Sequence, residues 1–481
     1  MLLNFVIVYI LLSVAVSLWA ARRVNNTRDF YTAGRSLPLA MVTAMMFAGW
    51  FGAETVMGIP ATFMEEGLLG LLSDPLGAAT CLILFGLFVA KRLYRLNLLT
   101  IGDFYRQRYS RGVELLTGLA IALSYLGWVA AQLTALGMLI NLLTHQALSI
   151  NEGIMLATMV VVIYTVVGGL WSVAITTSIQ MVITVISLGG IAWLLLDQVG
   201  GFAPLWQHAM LNDAFKLPTE VSPLLALAML TSFLTLAFGS IPQQDVFQRA
   251  NAARNEQIAA WSAIGGGVLY LLFTSIPLII AYSAHLIDPN LVERIMAVDG
   301  EALIPALIQQ ELPLFAQIVF YGALVGVVLG TSASTLLAPS FMLSENVLRG
   351  LFPRPLNDKH MLLLTRSVIV GFALLVCIYA LWSRELDTGL HDMVEAAYKV
   401  TLVVAFVPLV AGLYWRKANN LGAWLSILLG FSVWISGELW LSSEDVAAQW
   451  WGFMAAILGM VVGSLLPHRQ GVNEAVHNGH H

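Results

Sequence analysis

The stretch Met45 to Met64 reads MMFAGWFGAETVMGIPATFM. It is apolar and long enough to cross a membrane, yet Gly49, Gly52, Gly58 and Pro60 interrupt it. A bilayer offers no water to unpaired backbone groups, so a broken helix persists there only where it is buried in protein or lines a polar cavity. The break therefore predicts one wall of a binding site. Glu54 lies inside it, and a carboxylate near mid-membrane costs roughly 2.5 to 3.5 kcal/mol on an insertion scale, which makes it a functional candidate. The alternative is a Gly-rich packing face with Glu54 hydrogen-bonded inside the bundle.

The rest of the chain supports the membrane setting. Of 481 residues, 59% are hydrophobic and only 11% charged, with a mean hydropathy of +0.82; soluble domains carry about 25% charged residues. The sequence reads as an all-α integral membrane protein. Its 23 basic and 28 acidic residues give a net charge of -5, with no basic patch that would suggest nucleic acid. Cys81 and Cys377 both fall inside apolar spans, which argues for packing rather than a disulfide framework or metal-thiolate site. Leu2 to Ala21 has no basic residue before it, and Arg22 and Arg23 follow directly. That order predicts a retained spanning helix with its N-terminus outside, not a cleaved signal.

Runs of about 20 apolar residues bounded by charge or turn signals predict thirteen spans: 2–21, 38–64, 72–90, 113–143, 151–167, 171–196, 222–247, 258–286, 314–348, 360–382, 392–414, 421–440 and 450–466. Basic residues test the count. It places 19 at the cytoplasmic side, Arg249, Arg354 and Arg469 among them, with Lys216, Arg294 and Arg384 outside and Lys399 within the eleventh span. An asymmetry this large predicts N-out, C-in topology, in an inner (plasma) membrane. The outer loop at 287–313 is acidic and expected to carry a short helix. The end of the chain, from His477 to His481, reads as a mobile polar tail or an added remnant rather than a metal site. Trp382, Trp415, Trp440, Trp450 and Trp451 read as interfacial anchors.

A second broken span, LLALAMLTSFLTLAFGSIPQQDVF at 224–247, is interrupted by Gly239 and Pro242. Paired Gly/Pro interruptions are the best sequence pointer to a transporter site at the bilayer midplane. They open the two halves at matching positions if spans two to six form one repeat and seven to eleven an inverted copy.

Specific motifs add to this. DFYTAGR, the break ending in MGIP, IGDFYRQRYS, YTVVGGLWSVAITTSIQ and IPQQDVFQRANAARNE occur in that order. Together they resemble the sodium:solute symporter family, with its proline, sialic acid and sodium/galactose transporters, over residues from about 27 to 418. The resemblance implies an inverted five-helix repeat of the leucine-transporter type. Its parts would be an extra N-terminal helix and first loop at 1–36, repeats at 37–200 and 201–418, and two extra C-terminal helices with a tail at 419–481.

By the same resemblance a sodium ion sits between the first broken helix and the ninth span. Its ligands would be the carbonyl oxygens of Ala48, Phe51 and Val327, with a pair of hydroxyl positions falling on Gly330 and Thr331. Hard cations want several oxygens. Thr331 fits and Gly330 lacks the side-chain oxygen, although Ser332, Ser334 and Thr335 are close by in GTSASTLLAPS. Where the family usually has Thr-Asp, this chain has Thr176 and Thr177, with Gln180 retained. Loss of that carboxylate makes a second sodium site unexpected and leaves proton coupling or an uncoupled carrier open.

Resemblance to the sugar-transporting relatives places Thr55, Asp74 and Glu395 at the solute pocket and Gly239 at a gating aromatic position. Trp50, inside the break, could stack on a solute. Glu54, Asp74 and Glu395 together favour a solute bearing an amine, although Lys399, one turn from Glu395, could simply neutralise it. The expected function is sodium-coupled symport of an amino acid or amine by alternating access, with the lipid bilayer, sodium and a small solute as partners and the oligomeric state left open. A sensor on a transporter scaffold is the rival, lacking an output domain after residue 467. An enzyme or pump is not expected, for the chain has no GxxxxGK, HExxH or nucleophile elbow. A channel is not expected either, since no filter-like loop lies between spans.

Overall fold

The computed structural model describes residues 2–24, 26–211, 215, 221–352, 356–386, 389–440 and 447–466; Lys216, Arg354, Arg469 and the tail from His477 to His481 lie outside the described residues. Among the described residues all regular structure is helical, apart from an isolated parallel bridge between Leu37 and Ala253. The helices in chain order are α1 (Leu2–Ala21), α2 (Thr27–Thr32), α3 (Leu39–Trp50), α4 (Glu54–Arg95), α5 (Ile101–Arg108) and α6 (Arg111–Leu143). They continue as α7 (Ile150–Gln198), α8 (Phe202–Leu211), α9 (Pro223–Gly239), α10 (Gln244–Asn251), α11 (Glu256–Ile287) and α12 (Pro289–Met296). The last are α13 (Leu303–Glu311), α14 (Leu314–Leu351), α15 (Asp358–Glu385), α16 (Leu390–Tyr414), α17 (Asn420–Trp440) and α18 (Ala448–Leu465).

Ten of these are long and apolar enough to cross a membrane, or eleven if α9 and α10, bent by 43°, form one span. The difference from thirteen expected spans has an identifiable source. Helix α7 holds two expected spans in 49 residues, which at about 1.5 Å per residue far exceeds a hydrocarbon core of about 30 Å. It is broken at Gly169 (φ 51°, ψ -156°), where an added Cβ would come within 2.5 Å of the Phe30 ring. Helix α4 likewise joins the second half of the second span to the third, turning at Gly67 (φ 63°) and at Asp74 (φ -131°, ψ 124°).

Local sequence explains the ends. Thr100 and Asp103 form a capping box at the start of α5, as do Ser149 and Glu152 at α7. Ser222 caps α9 with Pro223 in its first turn. The acidic loop at 287–313 carries two short helices, α12 and α13, where one was expected; α2, α5 and α8 were not foreseen.

Helix α14 is the axis of the bundle. Every residue from Phe320 to Met342 is buried, and it packs against α7, α6, α1 and α15. Helix α3 lies on α11 and α7, α16 lies along α6, and α17 pairs with α18. Trp382, Trp440 and Trp451 remain exposed. Both cysteines are buried and free.

Candidate functional site

The first break falls at Phe51 and Gly52, so of the four expected interruptions Gly52 marks it, while Gly58 and Pro60 lie within the helix that resumes. Helix α3 ends at Trp50, Phe51 adopts φ -81° and ψ 81°, and the chain resumes as a wide π turn from Glu54 to Gly58 that accommodates Pro60 within a continuing helix. Freed backbone groups need partners here. The Trp50 carbonyl accepts from the Gly52 N–H at 3.0 Å and the Thr55 hydroxyl at 2.8 Å, and the Ala53 N–H donates to the buried Gln132 Oε1 at 3.0 Å.

At this break two of the expected cation ligands meet. The Thr331 hydroxyl donates to the Ala48 carbonyl at 3.1 Å, so α14 and the end of α3 meet there. Val327, Gly330 and Thr331 occupy one face of α14 by their spacing. Ser332, Ser334 and Thr335 instead donate to carbonyls of α14 itself, at 2.6, 3.0 and 2.8 Å.

The expected solute residues form a second cluster. The Glu54 Oε1 lies 3.0 Å from His391 Nδ1, while His391 Nε2 lies 3.2 Å from the Ser73 hydroxyl and 3.8 Å from Glu395 Oε2. Glu395 in turn faces Lys399 Nζ at 3.7 Å. Asp74 Oδ1 accepts from Tyr270 at 2.6 Å, and that phenol stands 3.1 Å from the Thr55 hydroxyl. The Trp50 indole stacks on Tyr398 with centroids 5.4 Å apart, and meets Trp128 at 5.5 Å and Tyr270 at 6.4 Å. Three polar atoms of this layer, Trp50 Nε1, Asp74 Oδ2 and the Tyr398 hydroxyl, are buried without a hydrogen-bond partner, a state that buried polar groups rarely keep.

Trp50, Glu54, Thr55 and Asp74 are thus brought together, and Glu395 joins them through His391. Gly239 is different: an added Cβ there would stand 2.4 Å from the Tyr398 carbonyl oxygen, and its own carbonyl accepts from Thr401 at 2.6 Å. It is a close-packing point between α9 and α16. His391, Tyr270, Trp128 and Tyr398 were missed. His391 could have been found, since it lies four residues before Glu395 on one helix face; the others are tertiary neighbours.

A cavity of about 510 Å³ leads from one end of the bundle to His391, lined among others by Glu65, Glu66, Glu301, Arg384 and Asp392. Burial pushes the Glu301 carboxyl up to about 8, against the N–H of Leu390 that it accepts at 2.5 Å. At the opposite end α5 is fastened to α16 and the turn after it. Arg108 donates to the carbonyls of Gly412, Trp415 and Ala418 at 3.1, 3.3 and 2.8 Å, Tyr109 to Pro408 at 2.7 Å, and Tyr105 to Ala405 at 2.9 Å.

Arg249, expected in a cytoplasmic loop, is instead 2% exposed. Its Nη1 lies 2.6 Å from Asp245 Oδ2 and its Nη2 donates to Ser334 at 3.0 Å. Tyr125 bonds the other Asp245 oxygen.

Comparison with known proteins settles the class. The model of the sodium:solute symporter family matches residues 30–430. The chain belongs to that family. Among the relatives of this symporter, the human high affinity choline transporter 1 is 26% identical over 460 residues, covering 90% of this chain and 76% of the relative. The osmoregulated proline transporter OpuE of Bacillus subtilis is 23% identical, covering 96% and 94%. A Na+-coupled sialic acid symporter solved in a substrate-bound outward-open state superposes with a TM-score of 0.82 at 17% identity, over 97% of this chain and 98% of the other. A nucleobase-cation-symport-1 family transporter, closed around bromovinylhydantoin, gives a TM-score of 0.60 at 14% identity, over 90% and 94%. The symporter is therefore an integral, multi-pass membrane protein with a transporter fold.

Proposed function

We propose that this symporter uses a sodium gradient to drive uptake of a small organic cation, an amine of the choline type, by alternating access. One observation carries the solute class. Four aromatic faces, those of Trp50, Trp128, Tyr270 and Tyr398, are grouped beside Glu54 and Asp74, whose Oδ2 lacks a partner. A quaternary or protonated ammonium is the ligand that both a π face and a carboxylate with one unpartnered oxygen attract. Binding would replace the Trp50–Tyr398 ring stack with ring–cation contact, and the buried Trp50 and Tyr398 donors would suit a hydroxyl on the solute. Choline transporters among the relatives support this choice over an amino acid.

Sodium would bind at the break, on the carbonyls of Ala48, Phe51 and Val327 and the Thr331 hydroxyl, as unwound backbone provides for in this class of fold. It would stabilise the outward-open arrangement and raise solute affinity, a coupling that is reciprocal. Thirteen spans follow if α7 counts as two at Gly169, α4 is divided at Gly67 with its first part continuing α3, and α9 and α10 are one span. On that count the termini lie N-out and C-in, repeats occupy 37–200 and 201–418, and the 510 Å³ vestibule faces outward. The role is transport, not catalysis. A second reading, proton coupling, is favoured by the His391–Glu54 contact at 3.0 Å on the floor of the vestibule.

Purified protein in liposomes decides between these. Labelled choline should accumulate under an inward sodium gradient, with competition from amines and none from sugars or carboxylates. Competition by sugars alone would remove the amine. Accumulation under a pH gradient with no response to sodium would transfer the coupling to His391 and Glu54.

A further inference from the structure

Gly330 occupies a position where the family resemblance implies a hydroxyl, next to Thr331, whose own hydroxyl reaches the Ala48 carbonyl. Losing an oxygen at a hard-cation site should weaken it, unless another oxygen takes the room. A Cβ at residue 330 would stand 2.5 Å from Gln180 Oε1 and 3.7 Å from the Thr177 hydroxyl. The amide of Gln180 therefore fills the space that any side chain at 330 would need.

That amide is only loosely held, beside the Tyr164 hydroxyl. Gln180 is 3% exposed, and neither Oε1 nor Nε2 makes a hydrogen bond of good geometry; Thr177, 4% exposed, is in the same position. Their neighbours are committed elsewhere: Tyr164, which stands beside the amide, donates to Thr176 at 2.5 Å, and Thr176 donates to the Ser172 carbonyl at 2.8 Å. A nine-tenths-buried amide oxygen without a well-formed hydrogen bond, standing against Gly330, the chain neighbour of the proposed ligand Thr331, has the chemistry of a ligand. Amide carbonyls serve hard cations as backbone carbonyls do.

We infer that Gln180 supplies to the coupling cation the oxygen that residue 330 lacks, with Gly330 conserving the room for it and the Thr177 hydroxyl beside it. The inference rests on sodium coupling at the helix break and goes further by moving one ligand from α14 to α7. The cation then ties together three helices, α3, α14 and α7, instead of two. Its loss would release α7 from α14 as well as opening the break.

The test is a sodium titration of the apparent thermal midpoint of purified protein, against matched potassium chloride, with tryptophan fluorescence as a second readout. Binding to the folded state alone raises the midpoint. Gln180→Ala should raise the half-saturating sodium concentration roughly tenfold, equivalent to about 1.4 kcal/mol. Gln180→Glu, equal in size with an anionic oxygen, should lower it. Gly330→Ser pushes only the flexible end of Gln180 aside and supplies its own hydroxyl, so it should stay near wild type. Gln180→Ala made in the Gly330→Ser background should then have little further effect, a non-additivity that only a shared role produces. If sodium fails to shift wild-type protein, sodium coupling itself falls. Where wild type responds but Gln180→Glu titrates unchanged, or Gly330→Ser fails to rescue Gln180→Ala, this assignment alone is overturned. Should Gln180→Ala not fold, Gln180→Glu and Gly330→Ser carry the test.

Discussion

Replacing Gly49 by alanine would place a methyl group 1.8 Å from Nη1 of Arg249, 2.3 Å from Cζ and 2.6 Å from Nη2. A long side chain could normally swing away from such a contact. This one is fastened at both ends, to Asp245 at 2.6 Å and to Ser334 at 3.0 Å, and is 2% exposed. Moving the guanidinium leaves a buried carboxylate without its counter-ion, and breaking a buried pair in that way costs about 3–5 kcal/mol. Gly371, on α15, provides the control, because nothing lies within 4 Å of an added Cβ there. Gly371→Ala should be neutral or stabilise by up to about 1 kcal/mol through helix propensity. Apparent thermal midpoints of the purified variants should therefore diverge by several degrees, Gly49→Ala falling and Gly371→Ala holding or rising. Repeating Gly49→Ala in an Arg249→Met/Asp245→Asn background, where guanidinium and carboxylate are both gone, should recover most of the loss. Equal midpoints for the two alanine variants, or an undiminished loss in the charge-free background, would refute the argument.

Trp50→Phe keeps a ring against Tyr398 and should weaken binding of an ammonium solute by about 0.5–2 kcal/mol in calorimetric titration, whereas Trp50→Ala should also destabilise by about 3–5 kcal/mol. The Glu301 carboxyl is raised, so the fold favours its neutral form. The stability it contributes is complete below the ordinary carboxylate range and is lost as pH rises through about 8. The apparent thermal midpoint of the purified protein should fall between pH 7 and 9, and Glu301→Gln, which cannot ionise, should show a smaller fall over that range. Arg108→Met removes three hydrogen bonds to α16 and the turn after it, each worth about 0.5–1.5 kcal/mol net. It should increase the rate at which a thiol reagent labels Ala405→Cys, with no change expected if this end is held shut by packing alone.

The existence of two broken spans was legible because glycine and proline interrupt apolar runs of spanning length. Their geometry was less so: the first break lies at Phe51, set by what Gln132 and Thr331 on distant helices can satisfy, while a π turn absorbs Pro60. The broken span pointed to Glu54 and the family resemblance to Asp74, but neither pointed to Tyr270, which comes from 196 residues away to bond Asp74. Counting cations by span ends presumes that they are wet. Arg249 breaks that presumption because Asp245, one helical turn earlier, gives it a buried partner. The two spans expected at 151–167 and 171–196 were legible in the sequence, and they part at Gly169, whose φ of 51° and ψ of -156° are not helical.

The fastening of α5 onto α16 and its following turn has a lopsided chemistry. All five acceptors, at residues 405, 408, 412, 415 and 418, are main-chain carbonyls, and all the donors are side chains of Tyr105, Arg108 and Tyr109. Substitution on the accepting side leaves the oxygen where it was, except at Gly412, where an added Cβ would stand 2.9 Å from the Phe104 ring and 3.0 Å from the Tyr109 hydroxyl. The donating side has no such freedom. A saturation library over both segments should therefore tolerate change at the other four accepting positions wherever packing allows, and concentrate its failures at Gly412 and in three residues of one eight-residue helix and its cap.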